Sequence, residues 1–186
     1  MHGADPKRLA AVTVEVATPA HLRLLLDDVA GFESAYGLRV VPGYLEFDGA
    51  LAAALAALED GMPARWWTHL FVHAADRALI GLGGYTGPPE DRTVEIGYGI
   101  APDYRGRGLA TAAAAELIAR AGAAGVGTVR AHTLAHANAS TGVLTVLGFT
   151  RTGELDSEDG PLWRWELRLP AEDAVPTALR PDAAAR

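Results

Sequence analysis

Hydrophobic and polar positions alternate along this chain with two different periods, and the switches between them mark its elements. Val12, Val14 and Val16 alternate with Thr13 and Glu15 inside the stretch Leu9 to Ala17, which predicts a strand. Thr18-Pro19 then opens a helix: Thr18 is a capping residue and Pro19 suits the first helical position. Leu22, Leu25, Leu26 and Val29 form its apolar stripe. From Gly31 to Tyr44 neither period holds. Phe47 to Leu58 predicts a second helix, ended by Asp60-Gly61. His69 to Ala74 and Ala78 to Tyr85 predict a strand pair around the turn Ala75-Asp76-Arg77, and a loop around Pro88-Pro89 leads to a strand at Thr93 to Ile100.

Pro102 stops that strand. After a glycine-rich turn the period becomes helical over Leu109 to Ala124, with Ala113, Leu117 and Ala121 on one face and Gly125 and Gly127 at the end. A strand follows at Thr128 to Leu134, then a short helix at Ala139 to Leu147 closed by Gly148. Strands at Phe149 to Leu155 and Leu162 to Leu169 flank a linker that ends in the turn signal Asp159-Gly160. Strands outnumber helices and cluster in runs, which predicts an α+β layer structure with a mixed sheet rather than a doubly wound one. At 186 residues the expected organisation is one domain over residues 1–170, with 171–186, rich in Ala, Pro, Asp and Arg, as a disordered tail.

Composition narrows the function classes. The formal net charge is −7, which argues against nucleic acid as the main partner. An acidic balance is compatible with an amine substrate, although it mostly keeps a protein soluble. No run approaches the roughly 18 apolar residues that a membrane span needs, and the first residues lack a signal-peptide pattern. The expectation is a soluble cytoplasmic protein without a membrane partner. There is no cysteine, which excludes disulfides, thiolate metal sites and a cysteine nucleophile.

The informative chemistry lies between Val94 and Glu116, a strand, a proline, a basic glycine-rich turn and a long helix. The first N–H groups of a helix have no internal partner, and the helix dipole adds partial positive charge there. Gly106 and Gly108 would let those N–H groups face an anion, and Arg105 and Arg107 add full charges. A P-loop is excluded because Gly-Lys-Ser/Thr is missing. The dinucleotide pattern is broken by Thr111 in its last glycine position. A plain strand–turn–helix with solvated arginines is the bland alternative.

The stretch Glu95 to Thr111, with Arg105, Gly108 and Ala110 at the fixed positions of an Arg/Gln-x-x-Gly-x-Gly/Ala pattern, resembles the signature of the GNAT superfamily of acyl-CoA N-acetyltransferases. Asn138-Ala139-Ser140-Thr141, then Leu144, then Leu147-Gly148-Phe149 resembles a second family element and points to the ribosomal-protein N-acetyltransferase-like branch. The resemblance covers about Leu70 to Leu169. It implies a mostly antiparallel sheet of about seven strands flanked by about four helices, with a V-shaped splay after the fourth strand. It further implies acetyl-CoA as co-substrate and direct attack by an amine, either a small molecule or a protein N-terminus. The pyrophosphate would lie on Arg105, Gly106, Arg107, Gly108, Leu109, Ala110 and Thr111. Backbone groups around Gly99, Ile100 and Ala101 would bind the pantetheine arm, with Asn138 reaching the same arm. Glu95, on the strand beside the cleft, is the candidate base. A homodimer stays open as an assembly.

Two features depart from the family pattern. Many members place a tyrosine acid on the short late helix, where counting back from Gly148-Phe149 gives Leu144, so protonation would fall to water or Ser140. That absence keeps open a coenzyme-A-binding module without catalysis. Asn138 also sits one residue closer to Gly148-Phe149 than in the commonest spacing. His132 and His136 have no neighbouring carboxylate in the sequence, so no metal site is expected. His69 and His73 share a strand face and read as ordinary sheet residues, and Trp66, Trp67, Trp163 and Trp165 as core or cleft wall.

Overall fold

The computed structural model describes residues 12–45, 49–158 and 160–170. In chain order these form β1 (Val12–Val16), α1 (Pro19–Asp27), α2 (Val29–Tyr36), β2 (Arg39–Val40), α3 (Ala50–Glu59), β3 (Thr68–His73), β4 (Ala78–Tyr85), β5 (Thr93–Ile100), α4 (Leu109–Ala123), β6 (Thr128–Leu134), α5 (Ala139–Val146), β7 (Thr150–Leu155) and β8 (Leu162–Arg168). Single 3-10 turns at Ala64–Trp66 and Pro102–Tyr104 precede β3 and follow β5. The expected strand positions of the second half are met to within a residue or two. Leu9 to Ala11, Phe47 and the tail 171–186 lie outside the described residues.

Where one continuous apolar stripe was expected after Pro19, the chain makes two helices. Thr18 caps α1 as anticipated, accepting from the His21 N–H at 3.2 Å. Asp28 then leaves helical geometry and accepts from the Gly31 N–H at 2.9 Å, capping α2. Within α1 Leu22 and Leu25 are buried, whereas Leu26 near its end and Val29 beyond the break are 43% and 39% exposed. Phe32 carries the burial of α2 instead.

The sheet order is β1-β3-β4-β5-β6-β8-β7, with the two-residue β2 added in parallel to β4. The other neighbours are antiparallel except β5 and β6. That parallel step requires a crossover, and α4 supplies it. One face of the sheet packs on α4, where Ala112, Ala113, Ala114, Leu117 and Ala121 meet Phe71, Ile80, Val94, Ile96 and Val129. Alanines along that face let the helix approach the sheet closely. Two polar ties fix it: the Tyr85 hydroxyl donates to the Leu117 carbonyl at 2.6 Å, and the Arg120 guanidinium to the Val14 carbonyl at 2.7 Å. On the other face α1, α2 and α3 cover β3 and β4 through Leu22, Leu25, Phe32, Leu51, Leu70 and Leu79. Gly81 is required where β4 meets β5, because a Cβ there would collide with the Gly99 carbonyl. Among the described residues no helix is long and apolar enough to cross a membrane.

Candidate active site

The site originates in an incomplete strand pair. β5 and β6 are in register only from Thr93–Thr128 to Glu95–Arg130. Beyond Glu95, β5 stays with β4 through Ile100, whereas β6 stays with β8 through Leu134. The two halves of the sheet therefore diverge and open a cleft of about 1240 Å3, lined by β5, β6, the turn before α4 and the start of α5. This is the splay expected after the strand Thr93 to Ile100.

Strand geometry decides which backbone groups face this opening. Successive residues turn their N–H and C=O to opposite edges of a strand. The Ala101 N–H donates to the Ile80 carbonyl at 2.7 Å, so Ala101 and, by alternation, Gly99 are committed to β4. The edge facing the cleft belongs to Ile100 and Tyr98. Of the three residues expected to present backbone to the cleft, Gly99 and Ile100 line it and Ala101 does not; Ile100 turns its N–H toward it, whereas the N–H and C=O of Gly99 face β4. The side chain of Tyr98 is buried, which raises its hydroxyl above the ordinary tyrosine range, and that hydroxyl donates to the Ser140 carbonyl at 3.3 Å. This bond spans the gap and holds the N-terminus of α5 over it.

The turn before α4 has the geometry its composition calls for. Gly106 and Gly108 take φ of 72° and 76°, the left-handed region that side chains disfavour. Gly108 caps α4 without any side-chain acceptor, and the first helical bond runs from the Ala112 N–H to the Gly108 carbonyl. The N–H groups of Leu109, Ala110 and Thr111 are thus left for a partner from outside the helix. The arginines hold the turn together: Arg105 Nε donates to the Ile100 carbonyl at 2.8 Å, and Arg107 donates to the Asp103 carbonyl at 2.8 Å while stacking on the Tyr104 ring. Tyr104 is fixed in turn, donating to Asp76 at 2.7 Å and accepting from Arg39 at 3.1 Å. The Tyr104 hydrogen bond, followed by lesser charge effects from His73, Arg107 and Arg39, lowers the Asp76 carboxyl below its ordinary range.

Asn138 caps α5. Its side-chain oxygen accepts from the Thr141 N–H at 3.0 Å, and its amide donates to the His136 carbonyl at 3.2 Å. Asn138 lines the cleft as expected, with both side-chain groups engaged in this cap. Leu144 is fully buried in the core, so that position points away from the cleft. The cleft face of α5 carries Ala139, Ser140, Gly142, Val143 and Val146, with Ser140 its one hydroxyl.

One pair of cleft residues escaped the sequence reading. Glu95, the last paired residue of β5, lies with Oε1 2.9 Å from Nδ1 of His132 on β6. His132 is without a carboxylate neighbour only along the chain. The parallel register Glu95–Arg130 puts Glu95 on the same sheet face as His132. The available signal was the strand–helix–strand unit itself, since its crossover makes β5 and β6 neighbours. His69 is buried in the core, where desolvation lowers it to about 4, and it lies outside the cleft. Trp66 and Trp165 are core residues, the latter bonded to Thr133 at 3.0 Å. No group of three or more His, Asp or Glu among the described residues is placed to hold a metal.

The model of the acetyltransferase (GNAT) domain matches residues 26–150. No curated protein sequence matches significantly. Among solved structures, the chain is similar to the ribosomal-protein-S5-alanine acetyltransferase of Vibrio fischeri, with a TM-score of 0.62 and 14% identity over 85% of this chain and 93% of that one. It is similar to the ribosomal-protein-alanine N-acetyltransferase of Brucella melitensis, with a TM-score of 0.57 and 24% identity over 84% and 99%. It is also similar to the yncA protein of Salmonella typhimurium solved with its cofactor acetyl-CoA, with a TM-score of 0.58 and 20% identity over 94% and 99%. At these identities the structural likeness speaks for the fold.

Proposed function

This chain belongs to the GNAT acetyltransferase family, and we propose that it moves an acetyl group from acetyl-CoA to an amine bound in the β5–β6 cleft. The observation that carries the reading is the uncapped start of α4, where three N–H groups and two left-handed glycines border one end of the cleft. Pyrophosphate is the anion that such an end suits. Leu109, Ala110 and Thr111 would contribute N–H groups, Gly106 and Gly108 the clearance, and Arg105 and Arg107 a positive rim. The pantetheine arm would run along the free edge of β5, and the Ile100 N–H would meet the thioester oxygen as charge develops on it. The amine would enter from the Glu95 side, the basic end of the site, and Ser140 is the hydroxyl that the cleft face of α5 carries toward the coenzyme.

The reaction needs no covalent enzyme intermediate. The neutral nitrogen attacks the carbonyl carbon, the C–N bond forms, and the C–S bond breaks with its electron pair leaving on sulfur. An alkylammonium has a pKa of about 10.4, so a proton must be removed before attack at neutral pH. Similar structures include a ribosomal-protein-alanine N-acetyltransferase and a spermidine N-acetyltransferase chimera. For this chain the acceptor class is thus an amine, either a small molecule or a peptide N-terminus. Residues 1–170 are taken as one catalytic unit working in the cytoplasm.

Thiol release from acetyl-CoA with an amine panel tests the reading. Arg105→Ala and Gly108→Glu should each weaken acetyl-CoA binding by tenfold or more, Gly108→Glu through steric and charge conflict. Unchanged affinity in both would remove the pyrophosphate assignment.

A further inference from the structure

We propose that the basic end of this site is a pair, in which Nε2 of His132 takes the ammonium proton and Glu95 orients the ring from its other nitrogen. The inference rests on the acetyl-transfer reading and specifies its base.

The fold puts the two residues on opposite walls of the cleft at its vertex. Glu95 ends the paired part of β5, and His132 is the next residue on the same face of β6 after the strands part. Their side chains keep 35% and 20% of their surface, enough to be reached from the cleft, which both line. An ionised carboxylate only accepts hydrogen bonds, so Nδ1, 2.9 Å from Glu95 Oε1, must carry the hydrogen. A neutral imidazole protonated at Nδ1 has its lone pair on Nε2. Among the described residues Nε2 has no hydrogen-bond partner. The carboxylate is thereby committed to holding the ring, and the basic position exposed to an incoming amine is Nε2.

The surrounding charges leave the pair intact. Arg130, the register partner of Glu95, is occupied by Glu166 on β8, at 3.1 and 3.0 Å. Arg164, the register partner of His132, packs against Gly153 on β7. Glu95 is the one carboxylate among the described residues lining the cleft. His136 also lines the cleft but lies beyond β6, with no carboxylate partner among the described residues. Of the two side-chain types, imidazole is the one that changes charge near neutral pH. A group that must take and return a proton in every cycle works best there.

The protons balance as follows. The first ammonium proton passes to Nε2, and the amine attacks. The second leaves nitrogen as the C–S bond breaks and goes to the departing thiolate. His132 then returns its proton to solvent, with Glu95 unchanged. Glu95 is thus a positioning residue and His132 the catalytic one.

Two measurements on the full chain test this. Long-range 1H–15N spectra of protein labelled in its histidine rings need no acceptor. The His132 signals, identified as those missing in His132→Gln, should show a protonated Nδ1 and a bare Nε2. Glu95→Gln should shift them toward the Nε2–H form. A wild-type ring protonated at Nε2 and bare at Nδ1 would overturn the proposal. The second measurement is kcat and KM against pH by thiol release, with acetyl-CoA and two probe amines, spermidine and an alanine-starting peptide. His132→Gln should lower kcat about 100-fold, leave the KM for acetyl-CoA within about twofold, and lose the acid limb of the profile. Glu95→Gln should lose about tenfold in kcat. A His132→Gln enzyme with wild-type rate and pH profile would overturn the proposal while leaving acetyl transfer in place. Failure of the wild type to bind acetyl-CoA would instead overturn the reading beneath it.

Discussion

Gly81 and Gly97 face each other's strands across the β4–β5 seam, yet alanine at the two positions should have opposite effects. A Cβ at Gly81 would overlap the Gly99 carbonyl and stand 3.1 Å from the Ile100 Cα. The obstacle is backbone, so no side chain can swing aside, and β5 must move by roughly 1 Å. Overpacking of this kind costs about 1–3 kcal/mol. For a chain of this length that lowers Tm by about 2–12 °C. The same movement displaces Ile100, whose backbone edge is assigned to the coenzyme, and misplacements of about 1 Å can lower turnover 100-fold. A Cβ at Gly97 meets nothing within 4 Å. Gly97→Ala should hold Tm or raise it slightly through the unfolded chain, while adding a methyl to the wall of the cleft. Thermal unfolding with acetyl-CoA titration of both variants is the assay. A Gly81→Ala protein that melts with the wild type and binds acetyl-CoA equally would refute the argument that this seam positions the coenzyme edge.

Three further outcomes are expected. Burial holds His69 neutral, down at about 4 against an ordinary 6.5. The unfolded chain therefore binds this proton first, and stability is full above pH 6.5 and lost as pH falls toward 4. The loss is up to about 3 kcal/mol. Urea midpoints at pH 7.5 and 4.5 should show a smaller acid loss in His69→Gln than in the wild type; equal losses would contradict this. Tyr85→Phe removes the hydroxyl bonded to the Leu117 carbonyl, a buried group whose desolvation raises it to about 12. It should cost about 1 kcal/mol in chemical denaturation with turnover unchanged. Asn138→Ala removes the α5 cap and should cost about 1 kcal/mol, while acetyl-CoA affinity stays near wild type if capping is the side chain's role.

Much of this fold is legible along the chain because its signals are local. Thr93–Ile100 and Thr128–Leu134 have strand periodicity and clear stops, and the Arg105–Gly108 turn carries its glycines where positive φ is needed. The features that were missed depend on contacts between distant residues or on short competing bonds. The stripe from Leu22 to Val29 is helical in period, but the Asp28 side chain takes the Gly31 N–H and starts a second helix. β2 is two residues long and exists only through its pairing with β4. Counting along α5 places Leu144 at a reactive position, whereas tertiary packing turns it into the core. Glu95 is recognisable as a candidate by its strand, yet its partner His132 lies 37 residues away. Only the parallel register of β5 and β6 brings them together.

Everything proposed for the site depends on the start of α4 and the adjoining cleft holding a coenzyme A thioester. The most direct measurement is ligand-dependent thermal unfolding of the wild type and Gly108→Glu with acetyl-CoA, CoA, NAD and ATP. At about 100 times its dissociation constant a ligand stabilises by about 2.7 kcal/mol, or about 5–11 °C for a chain of this size. Acetyl-CoA and CoA should raise the wild-type Tm by that amount, NAD and ATP should not, and Gly108→Glu should lose the response. A wild type that responds to none of the four, or to NAD alone, would contradict the coenzyme assignment.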